Sequence, residues 1–179
     1  MKTVATFILN SILGWKVENS FPKEPKKYIV IAAPHTSWID FPISILVRIS
    51  QGTMVHFIGK GSLFKWPFGY FFRSLGGTPV DRTKSNKIVD AIIDLFNTKE
   101  EFRLALSPEG TRKKVAHWKT GFYYIAKGAK VPIVMATLDF ENKKMKISEP
   151  YYVTGDLEKD FEYFKLFYKN VKGRNPDLS

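Results

Sequence analysis

The sequence predicts an α/β fold: a single domain with a mixed central sheet flanked by helices, and an N-terminal amphipathic helix in front of it. Three observations predict this. Short apolar runs recur at Tyr28–Ala33, Phe102–Leu106 and Val131–Ala136, each the length of a buried strand. Segments with helical spacing lie between them, and strands alternating with helices build layered α/β sheets. A chain of 179 residues that is 44% hydrophobic is also long enough to bury one sizeable core.

Composition narrows the chemistry. There are no cysteines, which excludes disulfides, thiolate metal sites and a cysteine nucleophile. With only three histidines, a His-rich metal centre is not expected. The formal charge of +11 calls for an anionic partner, which could be nucleic acid, a phosphorylated substrate or an acidic membrane surface. No apolar run reaches the roughly 18 residues that a transmembrane helix needs. Asn10 and Ser11 interrupt the first apolar stretch and no small-residue cleavage site follows, so no secretory leader is expected.

Residues 1–27 read as the amphipathic helix and a basic linker, and residues 28–179 as the domain itself. The helix covers 2–16. Thr3, Thr6, Asn10 and Gly14 form a narrow polar stripe, and apolar residues including Phe7, Leu9 and Trp15 cover the rest. Such a face suits a membrane interface. It equally suits a helix packed on its own domain.

The first strand runs into Pro34-His35-Thr36-Ser37-Trp38-Ile39-Asp40. Pro34 ends the strand because proline cannot donate to a sheet ladder. His35 is thereby put at a strand end. Asp40 follows five positions later, which is not a neighbour spacing on a helix. The two side chains meet only if the segment between them turns before the next helix. A carboxylate that holds an imidazole fixes its tautomer and stabilises the imidazolium, which is how a base is made. A His and an Asp five apart also occur without function, so the pair gains its meaning from the blocks that follow.

Phe41–Ile49 reads as a helix and Thr53–Ile58 as a strand containing His56, expected to be a packed residue. Ser62–Leu75 is rich in aromatic residues, with Lys65 and Arg73 among them. That is too apolar for a solvated helix and too short to span a bilayer. It suits a membrane-facing or acyl-chain-lining segment, stacking on single-stranded nucleic acid, or a core helix. Gly76-Gly77 permits a tight turn, and Arg82 offers a planar fork for phosphate. Ser85 or Asn86 opens a helix bearing Ile88, Ile92 and Leu95.

The strand at Phe102–Leu106 leads into Ser107-Pro108-Glu109-Gly110-Thr111-Arg112. Glu109 is an acceptor, Gly110 allows close backbone approach, and Arg112 is a second phosphate fork. Lys113 and Lys114 read as solvated surface. Tyr123–Lys130 should be helical, Val131–Ala136 a strand, and Lys144–Ile147 a last strand. Asp156 is expected to cap a terminal helix that Gly173 ends.

Four blocks thus stand in order: His35-x4-Asp40, Gly76 to Arg82, Pro108-Glu109-Gly110-Thr111-Arg112, and Val131-Pro132-Ile133. This order resembles the glycerolipid acyltransferase family, which contains the 1-acylglycerol-3-phosphate acyltransferases, over about residues 28–140. The resemblance implies an enzyme of phospholipid synthesis. His35 would act as general base on an acceptor hydroxyl, and Asp40 would orient it. The hydroxyl would attack an acyl thioester with no covalent acyl-enzyme, in keeping with the missing cysteine. It further implies that Lys60, Arg82, Glu109, Gly110, Thr111 and Arg112 bind the acceptor, often through its phosphate. No resident cofactor or metal is implied; acyl-CoA or acyl-acyl carrier protein is a co-substrate. The expected partners are an anionic membrane surface, a lyso-lipid acceptor and the thioester donor. The expected location is the cytoplasmic face of a membrane, peripheral or monotopic. Ser107 and Pro79 depart from the family pattern, which has an aromatic and a bulky apolar residue there, and this leaves a different lyso-lipid acceptor open. A non-catalytic lipid-binding relative is the other reading, and the presence of both His35 and Asp40 speaks against it. Nucleic-acid binding is disfavoured because Asp40 and Glu109 would repel phosphates.

Overall fold

A computed structural model describes residues 1–80 and 85–178, with the backbone alone at residues 80 and 85–87. Helix α1 (Lys2–Phe7) continues into a π-type turn at Ile8–Ile12, followed by β1 (Lys16–Glu18) and β2 (Lys27–Ala33). Then come α2 (Asp40–Gln51), β3 (His56–Lys60), a 3-10 turn at Gly61–Phe64, α3 (Gly69–Ser74) and β4 (Gly77–Val80). The chain continues with α4 (Ser85–Thr98), β5 (Phe102–Leu106), α5 (Gly121–Ala129), β6 (Ile133–Thr137), β7 (Lys144–Lys146) and α6 (Leu157–Phe167).

Five strands form one sheet in the order β4-β3-β5-β2-β6, and every pairing between them is parallel. Each connection within it passes through helical structure, which returns the chain to the same end of the sheet. The expected mixed character is confined to isolated antiparallel bridges, such as Ile133↔Tyr151 and Ala136↔Ile147 at β6. β1 and β7 form a separate parallel pair.

Side chains of β2 alternate between two cores, as strand geometry requires. Ile29 and Ile31 face a cluster with Ile92, Phe96, Phe122, Ile125 and Phe164 from α4, α5 and α6. Tyr28 and Val30 face the other side, with Leu9, Trp15, Ile43 and Val47. Each fully buried side chain of this size contributes about 1.5–3 kcal/mol of transfer free energy. The helices therefore cover both faces and leave the strand ends open.

The first helix differs from its expected extent. It stops at Ile12, because Gly14 adopts φ +71 and turns the chain into β1. Trp15 is buried, edge-on to Phe140 with ring centroids 4.9 Å apart. Ala5 and Leu9 are buried too, and α1 lies along α2. Val4, Phe7 and Ile12 stay exposed, so the apolar surface is divided between the protein and the outside.

The aromatic segment is likewise divided. Phe64 is buried, whereas Trp66 is 93% and Tyr70 86% exposed, with Phe68 and Phe71 also outside. A Cβ at Gly69 would lie 2.1 Å from the Phe64 carbonyl oxygen, so only glycine permits this fold-back. At the other end of the chain, Asp156 caps α6 as expected, its Oδ1 accepting the Lys159 N–H at 3.2 Å. The helix ends at Phe167, ahead of Gly173, and Asn170 turns the chain at φ +66.

Candidate active site

The site is assembled where the parallel strands end. In open α/β sheets the carboxyl ends of the strands are where ligands bind. β2 delivers His35, β3 delivers Lys60, and β5 delivers Ser107 to Arg112. Because β2 and β5 are neighbours, with Ile31 opposite Leu106, their following turns lie side by side.

The turn after β2 is organised by one carboxylate oxygen. Asp40 Oδ2 accepts from the N–H of Thr36 and of Ser37, each at 2.9 Å. The same oxygen lies 2.8 Å from His35 Nδ1. Asp40 stands in the first turn of α2, where the helix dipole favours a negative charge. Its other oxygen, Oδ1, is buried and has no partner among the described residues. The side chain of Asp40 is 2% exposed and that of His35 is 29% exposed. A buried anion thus holds a ring that reaches the surface. A neutral ring whose Nδ1 is engaged by a carboxylate carries its proton there, which leaves Nε2 as the nitrogen with a free lone pair.

Glu109 is buried within the second turn. Its two oxygens accept the backbone N–H of His35 at 3.1 and 3.0 Å. Ser107 Oγ donates to its Oε2 at 2.8 Å. Burial pushes the Glu109 carboxyl above its ordinary range, and the bonds from Ser107 and His35 pull it partly back. Glu109 was expected to meet the acceptor. In the structure its carboxylate bonds the His35 backbone and the Ser107 hydroxyl, and so braces one site loop against the other. Ser107, which the family pattern would make aromatic, has a use that the spacing did not reveal: it orients this carboxylate.

Gly110 adopts φ +65, a conformation that L side chains rarely adopt. A Cβ there would lie 2.9–3.1 Å from the end of the Lys119 side chain. Lys119 is drawn in by its own N–H, which donates to the Pro108 carbonyl at 2.8 Å. Sequence reading passed over Lys119, because only the fold brings it across the loop. The Thr111 hydroxyl accepts the Lys113 N–H at 3.3 Å, and Arg112 and Lys60 are exposed. Among the described residues neither cation is ion-paired with a carboxylate. Arg82 lies outside the described residues. His56 packs against Phe102 at 4.9 Å, the structural place expected for it.

Comparisons with known proteins bear on the fold and the family. The chain shares its fold with the crystal structure of the 1-acyl-sn-glycerophosphate acyltransferase PlsC from Thermotoga maritima, at a TM-score of 0.63 and 22% identity. The likeness covers 93% of this chain and 78% of that one. No curated protein matches. A family described as Acyltransferase matches residues 15–138, a span that takes in both loops of the site. On that match, which runs over well more than half of its length, the chain belongs to the Acyltransferase family.

Proposed function

We propose that the protein moves a fatty acyl group from a thioester donor to the hydroxyl of a lysophospholipid or glycerol-phosphate-type acceptor, with His35 as general base. One observation carries the reading. His35 Nδ1 is held at 2.8 Å by a buried carboxylate, at the open ends of the strands. Nε2 then takes the proton of the acceptor hydroxyl as its oxygen attacks the thioester carbonyl. The tetrahedral intermediate collapses, the carbon–sulfur bond breaks, and the thiolate receives the proton from the imidazolium. Asp40 stays ionised throughout and stabilises that imidazolium. General base catalysis of this kind is worth about 10²–10⁴-fold. Nothing in the route requires a resident cofactor, and both acyl-CoA and acyl-acyl carrier protein fit as donor.

In this reading Lys60, Arg82 and Arg112 hold the anionic group of the acceptor, beside the backbone of Gly110 and Thr111. An exposed arginine fork such as that of Arg112 suits a phosphate, which it can grip in bidentate fashion. The fold likeness to an enzyme of 1-acyl-sn-glycerophosphate supports this choice of acceptor. The protein works as a monotopic enzyme on the cytoplasmic face of an anionic membrane. Support comes from the charge of +11 and the exposed aromatic side chains of the 62–75 segment. No described helix is long and apolar enough to cross a membrane.

The test is direct. Purified protein is supplied with acyl-CoA or acyl-acyl carrier protein and a panel of lysophospholipids, and new esters are read by mass spectrometry. Esterification of a phosphate-bearing acceptor is expected, with turnover about 10²–10⁴-fold lower in His35→Ala. No ester from any lyso-lipid, or near-normal turnover of His35→Ala, would overturn the proposal.

A further inference from the structure

The last stretch of the described chain returns to the active-site turn. After α6, the Tyr168 hydroxyl donates to the Ile31 carbonyl, four residues before His35, and accepts the Ala136 N–H at 3.2 Å. The Lys172 carbonyl then accepts the Phe140 N–H at 2.9 Å, and Gly173 is buried. Asn175 follows. Its backbone N–H donates to Thr36 Oγ1 at 3.1 Å, and its Nδ2 donates to the Thr36 carbonyl at 2.8 Å.

Thr36 is buried and stands between the base and its carboxylate. Its N–H donates to Asp40. With Asn175 in place, all three polar groups of Thr36 are engaged. We infer that Asn175 is a positioning residue for the acyl-transfer site: it pins Thr36 so that Asp40 and His35 keep their separation. This rests on the reading of His35 as base, and it extends that reading to a segment beyond the matched residues 15–138. The physical reason is leverage. Thr36 carries one of the two backbone donors that aim Asp40 Oδ2, and a loosened turn lets that oxygen drift from Nδ1. Small misplacements of a catalytic group lower turnover without changing what the enzyme binds.

Three measurements test this. Amide hydrogen exchange of residues 35–40 should quicken in Asn175→Ala and stay unchanged in β5 and β6. Turnover should fall about tenfold or more, with KM for donor and acceptor little changed. In an Asp40→Asn background the same substitution should add little, because both act through one carboxylate. Asn175→Gln, which keeps the backbone bond and an amide donor on a longer side chain, should lie between. It also serves if Asn175→Ala lowers the melting temperature too far for assay. Unchanged exchange at 35–40 overturns the inference whether or not the protein acylates a lyso-lipid. So does unchanged turnover in an active enzyme, or an Asn175→Ala effect that adds in full to that of Asp40→Asn. If the wild type is inactive on every acceptor, the proposed function fails, and the exchange measurement still decides whether Asn175 holds the turn.

Discussion

The backbone N–H of His35 donates to both oxygens of Glu109, a residue 74 positions further along the chain. A backbone donor follows the Cα, not a rotamer. The contact therefore locates His35 itself, as Asp40 orients its ring. It exists because β2 and β5 are parallel neighbours and end at the same edge.

Removing that acceptor has a specific signature. Glu109→Ala strands a buried N–H, which costs about 1–3 kcal/mol. The expected outcome is lower stability and lower kcat, with the acceptor KM nearly unchanged. Thermal unfolding and steady-state kinetics check it. A rise in acceptor KM alone would mean that Glu109 touches the substrate after all.

Much of this site was legible in the sequence, and what was not has a physical reason. The His35–Asp40 pair was readable because turn chemistry between a strand and a helix is local. The partner of Glu109 was not, because β5 inserts between β2 and β3, an order that no periodicity reveals. The apolar pattern of the first helix was read correctly as amphipathic. It could not distinguish lipid from protein as the covering phase, and Trp15 and Leu9 proved to belong to the core. Lys119 and Asn175 carried no motif of their own. Each acquires its place only through a backbone contact made by the fold.

The anion site proposed for the acceptor makes the second prediction. Neutralising Arg112 or Lys60 should raise the acceptor KM far more than the donor KM. The loss of a charge-assisted bond is about 1.5–3 kcal/mol, roughly tenfold or more in KM. Arg112→Lys should recover little of it, since an ammonium cannot reproduce a bidentate fork. A monoacylglycerol without phosphate should be handled equally by both proteins. Parallel damage to the two KM values would assign the cations to the donor or to folding.

A third prediction concerns acid stability, and it lies away from the site. Asp160 is fully buried in α6 and accepts from the Tyr151 hydroxyl at 2.7 Å and from the Thr154 N–H and hydroxyl at 2.9 Å each. Burial raises its carboxyl, but these bonds outweigh burial and bring it below the ordinary 3.8. Burial and the neighbouring Asp160 push Tyr151 up to about 12. The folded state therefore binds the Asp160 proton less readily than the unfolded chain does. Its contribution is present in full above the unfolded value and is lost as pH falls through the folded one. Melting temperature measured from pH 7 to pH 2 should show this as an acid limb. Asp160→Asn should lower stability at pH 7 by about 1.5–3 kcal/mol and flatten that limb. An unchanged limb would assign acid unfolding to other carboxylates.

The last prediction concerns the membrane, and the structure decides which side chains test it. An acceptor with one acyl chain resides in a bilayer, so the site must be brought to the surface that holds it. Leu9 and Trp15 are core residues, and replacing them would report on folding only. Two apolar groups remain outside: Val4, Phe7 and Ile12 on the first helical segment, and Trp66, Phe68 and Phe71 in the aromatic segment. Burying such a side chain in the interface yields about 1.5–3 kcal/mol. Attraction to anionic headgroups adds about 1 kcal/mol per well-placed basic residue. Binding to vesicles should therefore rise with anionic lipid content and weaken with salt. Replacing Trp66, Phe68 and Phe71 by Ser should release the protein from vesicles while its melting temperature holds. Activity on a short-chain, water-soluble acceptor should survive as well. The same replacement of Val4, Phe7 and Ile12 should act in the same direction. Cosedimentation with neutral and anionic vesicles provides the measurement. A wild-type protein that stays in solution with both, or Ser variants that bind as well as it does, would remove the membrane from the account of these exposed side chains.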